Sequence, residues 1–460
     1  MQERFLQDTF LRLAKEHDTP LYVYDLSRIE SNFLAFKKAF SGRKSLICYA
    51  LKANSNLSIL SLLANLGSGA DCVSIGEVRR ALLAKIPKYK IIFSGVGKKA
   101  SEIEEAIKLD ILFLNVESME ELALIEQIAK QTLDSTKKPQ KARISIRVNP
   151  NIDAKTHPYI STGLSQNKFG LDIDSAKQAY LYAHKSPFLE PVGIHFHIGS
   201  QICELAPIKQ SANKIAHLAK SLLALGIEIR FFDIGGGLGI CYENEEEIAL
   251  YDYSQAILST LKGEDLTIIC EPGRRIVGNA GVLLSKVLYE KRTQNKRFVI
   301  VDSGMNDLMR PALYDAVHKV QIYTKNALKS EDKTKADIVG PVCESSDTFL
   351  RNVELPPLKS GDILGFSNAG AYGYSMASNY NTRTKPAEVG IYYEQNLTPN
   401  GTQAQKSKIQ TRLLKKREEF SELVANELEC LQNVAKKSSK TKQSSVAKTS
   451  STKSKNLKSK

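Results

Sequence analysis

The sequence predicts an α/β chain folded as a (β/α)8 TIM barrel with a second, smaller all-β domain, followed by a C-terminal helix and a disordered basic tail. Three observations carry that prediction. Eight short apolar, β-branched runs alternate with stretches of helical spacing between residues 46 and 270, the pattern of a closed parallel barrel. After residue 280 the runs stay short and strand-like, but turn residues rather than helices separate them, as in an all-β domain. Residues 436–460 hold nine lysines and no acid among many Ser and Thr, a composition too poor in apolar surface to fold.

Taken in order, residues 1–25 contain a strand-like segment, Pro20–Tyr24, expected to join the sheet of the second domain. The barrel spans 26–280. Its runs are Leu46–Ala50, Ala70–Ser74, Ile91–Ser94, Ile111–Asn115, Ile144–Val148, Val192–Ile198, Ile227–Ile234 and Leu266–Cys270. Helical spacing falls between them, for example at Leu57–Leu66, Met119–Ala129 and Ile208–Leu225. Strands apolar along their whole length suit a sheet covered on both faces. An open doubly wound sheet is the alternative, but it usually carries a Gly-rich turn after its first strand, and ICYALKAN (47–54) has none. Residues 281–395 form the β domain. Within 396–435, Ile409, Leu413, Phe420, Val424, Leu428 and Leu431 recur mostly at intervals of 3, 4 or 7, predicting an amphipathic helix that packs on the body or on a partner.

Bulk composition excludes several classes. With 42% hydrophobic and 25% charged residues the chain is an ordinary globular one. Its seven cysteines are scattered, with no CxxC pair, which fits reduced thiols in a cytoplasmic setting. No apolar run approaches the roughly 20 residues of a membrane span, and the opening MQERFLQDTF has acidic residues and no apolar core, so no secretory signal is expected. Of the net charge of +14, nine positive charges sit in the 436–460 tail. A solvated tail is the expectation there, with nonspecific nucleic-acid contact as the alternative.

Barrel active sites lie at the C-terminal ends of the strands. The residues found there are Lys52, Asp71, Ser94, Asn115 and Arg147, then His195, His197 and Ser200, then IGGGLG (234–239) and CEPGRR (270–275). Each has a plain reading: a lysine where a strand leaves the core, glycines in a tight turn, ionic residues in surface pairs. Facing a closed site, Lys52 becomes a nucleophile, since burial or a nearby positive charge lowers an amine pKa. Gly235, Gly236 and Gly237 admit a ligand close to the backbone and turn N–H groups toward it; with Gly273, Arg274 and the Ser200 hydroxyl they favour phosphate. His195 and His197 share one face of a strand. No third ligand at metal spacing is evident, so no metal is expected, and an imidazole beside an aromatic cofactor fits its neighbours better. Glu271 can keep a pyridine nitrogen protonated. An amine for an aldehyde, a carboxylate for a pyridinium and a nest for a phosphate describe pyridoxal 5'-phosphate.

The same stretches resemble a known family. YALKAN (49–54), NPNIDAKTHPYISTGLSQNKFG (149–170), HFHIGSQ (195–201), DIGGGLGI (233–240) and EPGRRIV (271–277) look like the fold-type III, alanine-racemase-like pyridoxal-phosphate-dependent decarboxylases. RPALYDAVH (310–318), GPVCESSD (340–347) and AGAYGYSMASNYNTR (369–383) narrow the resemblance to the diaminopimelate decarboxylases. It runs in order from about residue 20 to 395 and leaves out the C-terminal helix and tail. Two departures are small: Ile75 in VSIGE stands where the family often has a small residue, and DSGMN (302–306) is a variant of a family turn.

The resemblance implies Lys52 as the lysine that condenses with the cofactor and His197 against the cofactor ring. It implies Glu271 on the ring nitrogen, with Ser200, Gly235, Gly236, Gly237, Gly273 and Arg274 around the phosphate. Asp71, Arg147 and Pro272 join the cofactor contacts. Arg274, Arg310 and Tyr314 would hold substrate, and Tyr372 would touch both substrate and cofactor. Cys343, as proton donor, and Glu344, reading the distal amine, would come from the second subunit of a homodimer with shared sites. The implied reaction is decarboxylation of meso-2,6-diaminopimelate to L-lysine and CO2, the last step of lysine biosynthesis by the diaminopimelate pathway. Two guanidiniums suit a second carboxylate, whereas an ornithine end would prefer an acidic pocket. The competing readings are a related decarboxylase of ornithine, arginine or carboxynorspermidine, and a non-catalytic vitamin B6 carrier or tail-mediated RNA-binding module.

Overall fold

Eight parallel strands close on themselves: β2 (Ser45–Ala50), β3 (Gly69–Cys72), β4 (Ile91–Phe93), β5 (Phe113–Val116), β6 (Ala142–Arg147), β7 (Leu189–His195), β8 (Phe231–Asp233) and β9 (Thr267–Cys270), with β9 pairing back onto β2. They follow a strand β1 (Leu21–Asp25). The computed structural model describes residues 2–136, 141–154, 162–163, 167–324, 332–393 and 409–433. Helices return the chain from one strand to the next, and several start where a side chain satisfies the free N–H groups of the first turn. Asn56 accepts from the Ser58 amide, Ser74 from Glu77, and Asp172 from Asp174 and Ser175. Side chains two apart on a strand share a face. Ile92, Phe113 and Ile269, clustered with Cys48 and Val192, therefore place Ser94, Asn115 and Glu271 one layer higher, at the C-terminal mouth.

The second domain is a nine-stranded mixed sheet. It contains β10 (Gly281–Arg292), β11 (Arg297–Val301), β12 (Val320–Ile322), β13 (Thr334–Val339), β14 (Thr348–Leu355), β15 (Ile363–Phe366), β16 (Ala387–Tyr393) and β17 (Ile409–Lys415). As expected from Pro20–Tyr24, β1 joins it, antiparallel to β10 and parallel to β16. Before it, Gln2–His17 form a helix that the sequence reading did not include; Phe10 and Leu13 bury against Leu21, Val23 and Leu284 of the sheet.

The segment after β16 also differs from the sequence reading. Where residues 396–435 are expected as a single helix, Ile409–Lys415 is a strand antiparallel to β16, with Tyr393 opposite Ile409 and Val389 opposite Leu413. Ile409, Thr411 and Leu413 satisfy a period of two as well as part of the helical spacing, and the hydrogen-bonding edge of β16 decides between them. The helix begins later, at residues 420–433. It does not pack on the body: Phe420 and Leu431 are more than three-fifths exposed. Residues 396–408 and 434–435, and the 436–460 tail, lie outside the described residues. No described helix is long and apolar enough to cross a membrane.

Candidate active site

The strand ends surround a cavity of about 560 Å³. Lys52, Asp71, Arg147, His197, Ser200, Gly236, Gly237, Glu271, Gly273, Arg274, Arg310, Tyr314 and Tyr372 all line it, as do Ser94 and His195. Residues from the barrel and from the β domain thus meet at one opening. Gly235 and Pro272 stand behind the wall instead. The Gly235 carbonyl accepts from the Glu271 amide and the Pro272 carbonyl from Ala50, tying the turns after β8 and β9 to each other and to β2. Cys343 and Glu344 do not line this cavity; both are exposed, on the turn between β13 and β14.

Lys52 sits in a short 3-10 turn after β2, its side chain 39% exposed into the opening, and its Nζ lies 3.1 Å from the buried Asp71 Oδ2. Burial is the largest single influence and lowers the amine's pKa, but the Asp71 carboxylate, Tyr372 and Glu271 together more than offset it, so the lysine is held above its ordinary range. The depressed lysine expected for a nucleophile is therefore not what the surroundings produce: the acidic groups gathered around the amine together outweigh desolvation. Asp71 is itself oriented from the next two strands, since Ser94 Oγ donates to its Oδ1 at 2.9 Å and Asn115 Nδ2 donates to Ser94 Oγ. Arg147 is fixed by two contacts to the buried Glu117, at 2.9 and 3.2 Å, and its guanidinium lies 4.7 Å from the Phe169 ring centre.

The opposite wall is acidic and imidazole-lined. Burial would raise the Glu271 pKa, yet His195 beside it, then Lys52 and Asp233, bring it down to about 2. Burial and the Glu271 charge push Asp233 well up. One carboxylate of the pair is thus ionised and the other protonated, as two acids in one low-dielectric site require. Asp233 Oδ1 accepts from the Gly235 amide at 2.9 Å. His197 is pushed far down by burial, then by Arg147 and Lys52, so it is neutral, and its Nδ1 accepts from the Gly236 amide at 3.2 Å.

Ligand-type atoms of His195, Asp233 and Glu271 lie within 4.8 Å of one another. Asp233 is the third group that sequence spacing did not reveal. It opens the glycine motif, which was the one signal that could have found it. Tyr242 and His318, discussed below, were also missed; His318 closes RPALYDAVH.

These residues fit pyridoxal phosphate. Glu271 is buried, lines the cavity and is held ionised, a carboxylate available to a protonated ring nitrogen. The glycine turn has no room for side chains: a Cβ on Gly236 would lie 2.2 Å from the Glu271 carbonyl oxygen, and one on Gly237, at φ +106°, 2.4 Å from the Gly199 oxygen. Ser200 Oγ is 3.0 Å from Arg274 NH2 on the same wall.

Comparisons with known proteins agree with this chemistry. Residues 26–278 match the family model of the pyridoxal-dependent decarboxylase, pyridoxal binding domain. The chain is 58% identical to diaminopimelate decarboxylase of Helicobacter pylori over 92% of its length and 98% of that relative's. It is 51% identical to the enzyme of that name from Campylobacter jejuni, over 91% and 98%. The crystal structure of the Helicobacter pylori enzyme complexed with L-lysine superposes with a TM-score of 0.83 at 57% identity, covering 91% of this chain and 99% of that one. The chain belongs to the diaminopimelate decarboxylases, within the pyridoxal-dependent decarboxylase family.

Proposed function

We propose that the protein is a carboxy-lyase that converts meso-2,6-diaminopimelate to L-lysine and CO2 at the barrel mouth, the closing step of lysine biosynthesis. The observation that carries the substrate is a pair of guanidiniums, Arg274 and Arg310, lining the cavity that also holds Lys52 and Glu271. A substrate that keeps one carboxylate while losing another matches two fixed cations.

Bound pyridoxal phosphate supplies the electron sink for the carbon that loses CO2. Lys52 would hold its aldehyde and Glu271 its ring nitrogen; Ser200, Gly236, Gly237, Gly273 and Arg274 would surround its phosphate. Asp71, at 3.1 Å, takes up and returns the Lys52 proton as the amine changes role. The ionised Glu271 would stabilise positive charge on the ring nitrogen, and His197, held neutral, would add no competing cation beside the ring. Arg310 and Tyr314 orient the substrate's remote end. In a head-to-tail homodimer, the partner subunit's Cys343 delivers a proton to the carbon that lost CO2, and the partner subunit's Glu344 receives the remote ammonium. The exposure of both residues, away from this chain's own cavity, supports that division. The free state of all seven cysteines suits a cytoplasmic enzyme.

The test is CO2 release from a substrate panel by the purified holoenzyme. Turnover should be confined to meso-diaminopimelate, with ornithine and arginine slower by a factor of roughly a hundred or more; comparable rates on ornithine would reassign the substrate. Removing residues 436–460 should leave turnover unchanged while lowering any retention on immobilised RNA, because that retention would rest on the lysines alone. A fall in turnover on truncation would give the tail a catalytic or assembly role.

A further inference from the structure

The two substrate-facing arginines are also held by Tyr242 and His318, to which the chemistry above gives no part. Tyr242, in the loop after β8, presents its ring to both: the guanidinium carbon of Arg310 is 4.6 Å and that of Arg274 5.7 Å from the ring centre. Tyr242 Oη accepts from Arg274 NH1 at 2.7 Å. Two like charges over one ring repel each other, so something further must fix Arg310.

His318 does so. Its Nε2 is 2.9 Å from Arg310 NH1, and its Nδ1 is 2.8 Å from the Ser367 carbonyl oxygen. The partners settle the tautomer. A carbonyl can only accept, so Nδ1 carries the hydrogen; a guanidinium can only donate, so Nε2 must be bare. An imidazolium would set N–H against N–H. Burial, then the Arg310 charge, push His318 down to about 3, in accord with that neutral form. The His318 ring also packs edge-on against Tyr242, with centroids 5.5 Å apart. His318 is 1% exposed and is not among the residues that line the cavity, whereas Arg310 is.

We propose that His318 is a positioning residue for substrate selection: as the neutral Nδ1–H tautomer, its Nε2 fixes Arg310 against the Tyr242 ring so that the guanidinium fork meets the remote carboxylate of the substrate. The inference rests on the reading that Arg310 receives that carboxylate. The Ser367 carbonyl selects the tautomer, the bare Nε2 holds the guanidinium, and the guanidinium tests the substrate for an acid.

Two substitutions separate this role from simple packing. In His318→Asn the amide nitrogen can still donate to Ser367, but no acceptor reaches Arg310. In His318→Gln the amide oxygen can reach Arg310, and the bond to Ser367 is lost. Steady-state kinetics of the holoenzymes on meso-diaminopimelate should show KM raised roughly ten- to a hundredfold in the Asn variant. Its kcat should change little and its coenzyme absorbance not at all, while KM in the Gln variant stays near wild type. Should the Asn variant not load coenzyme, His318→Leu, which also lacks the acceptor, takes its place. Wild-type KM in the acceptor-lacking variant, or equal losses in the Asn and Gln variants, would overturn the proposal. Arg310→Ala tells that failure from failure of the underlying reading. If it raises KM and loss of the His318 acceptor does not, only the His318 role falls; if it leaves KM unchanged, the carboxylate reading falls and the proposal with it.

Discussion

Lys52→Ala should yield a folded protein with no visible coenzyme band and with decarboxylation reduced on the order of a thousandfold or more. The wild-type enzyme should show the band and lose it on borohydride treatment, because the lysine nitrogen and the coenzyme carbon become joined irreversibly. Lys52→Arg sharpens the comparison. It keeps a cation near Asp71, and so preserves the buried charge balance now made at 3.1 Å, but its guanidinium does not condense with an aldehyde under these conditions. Both variants should be colourless. If either retained the band and its turnover, the coenzyme would be attached elsewhere, and the assignment of the barrel mouth would have to be abandoned.

Cys343→Ala should behave differently, keeping full coenzyme colour while product formation falls by a factor on the order of 100 to 10,000, the range for loss of a positioned acid. Cys343 is exposed on the turn between β13 and β14, and its chain is firmly placed. The Asp347 carboxylate accepts from the amides of Met305 and Val342 at 2.6 and 2.7 Å, and the Asp347 carbonyl accepts from the Gly340 amide at 3.0 Å. In the proposed homodimer this thiol would enter the partner subunit's site. Mixing Lys52→Ala and Cys343→Ala subunits under conditions of exchange should therefore restore part of the activity, since a mixed dimer contains one site with both residues intact. An unimpaired Cys343→Ala enzyme removes the thiol from the acid role, and impaired variants that never complement each other place it within a single chain.

Most of the architecture was legible because its signals are local. The β-branched runs at Ile91–Phe93 and Ala142–Arg147 lie between amphipathic helices, and such alternation has few compact solutions. The polar residues at the strand ends could be read as a site once the barrel was assumed, because barrel topology alone brings Lys52, Arg147 and Glu271 to one mouth. Residues 409–415 show where local signals stop. Ile409, Leu413 and Phe420 suited a helix, yet β16, some 20 positions earlier in the chain, offered an open edge, and pairing across that gap is not written in either segment.

By itself the sequence determined the barrel and the N-terminal strand of the β domain, and with its resemblance it pointed to the amine, carboxylate, glycines and arginines that the fold gathers at or behind the cavity wall. Tertiary structure alone decided their electrical states. Asp71 and its neighbours hold Lys52 charged, Asp233 keeps its proton beside the ionised Glu271, and the neutral His318 steadies Arg310. The reason is physical: chain pattern specifies which face of a strand or helix is apolar, but a pKa or a tautomer depends on which donors and charges arrive within a few ångströms from distant parts of the chain.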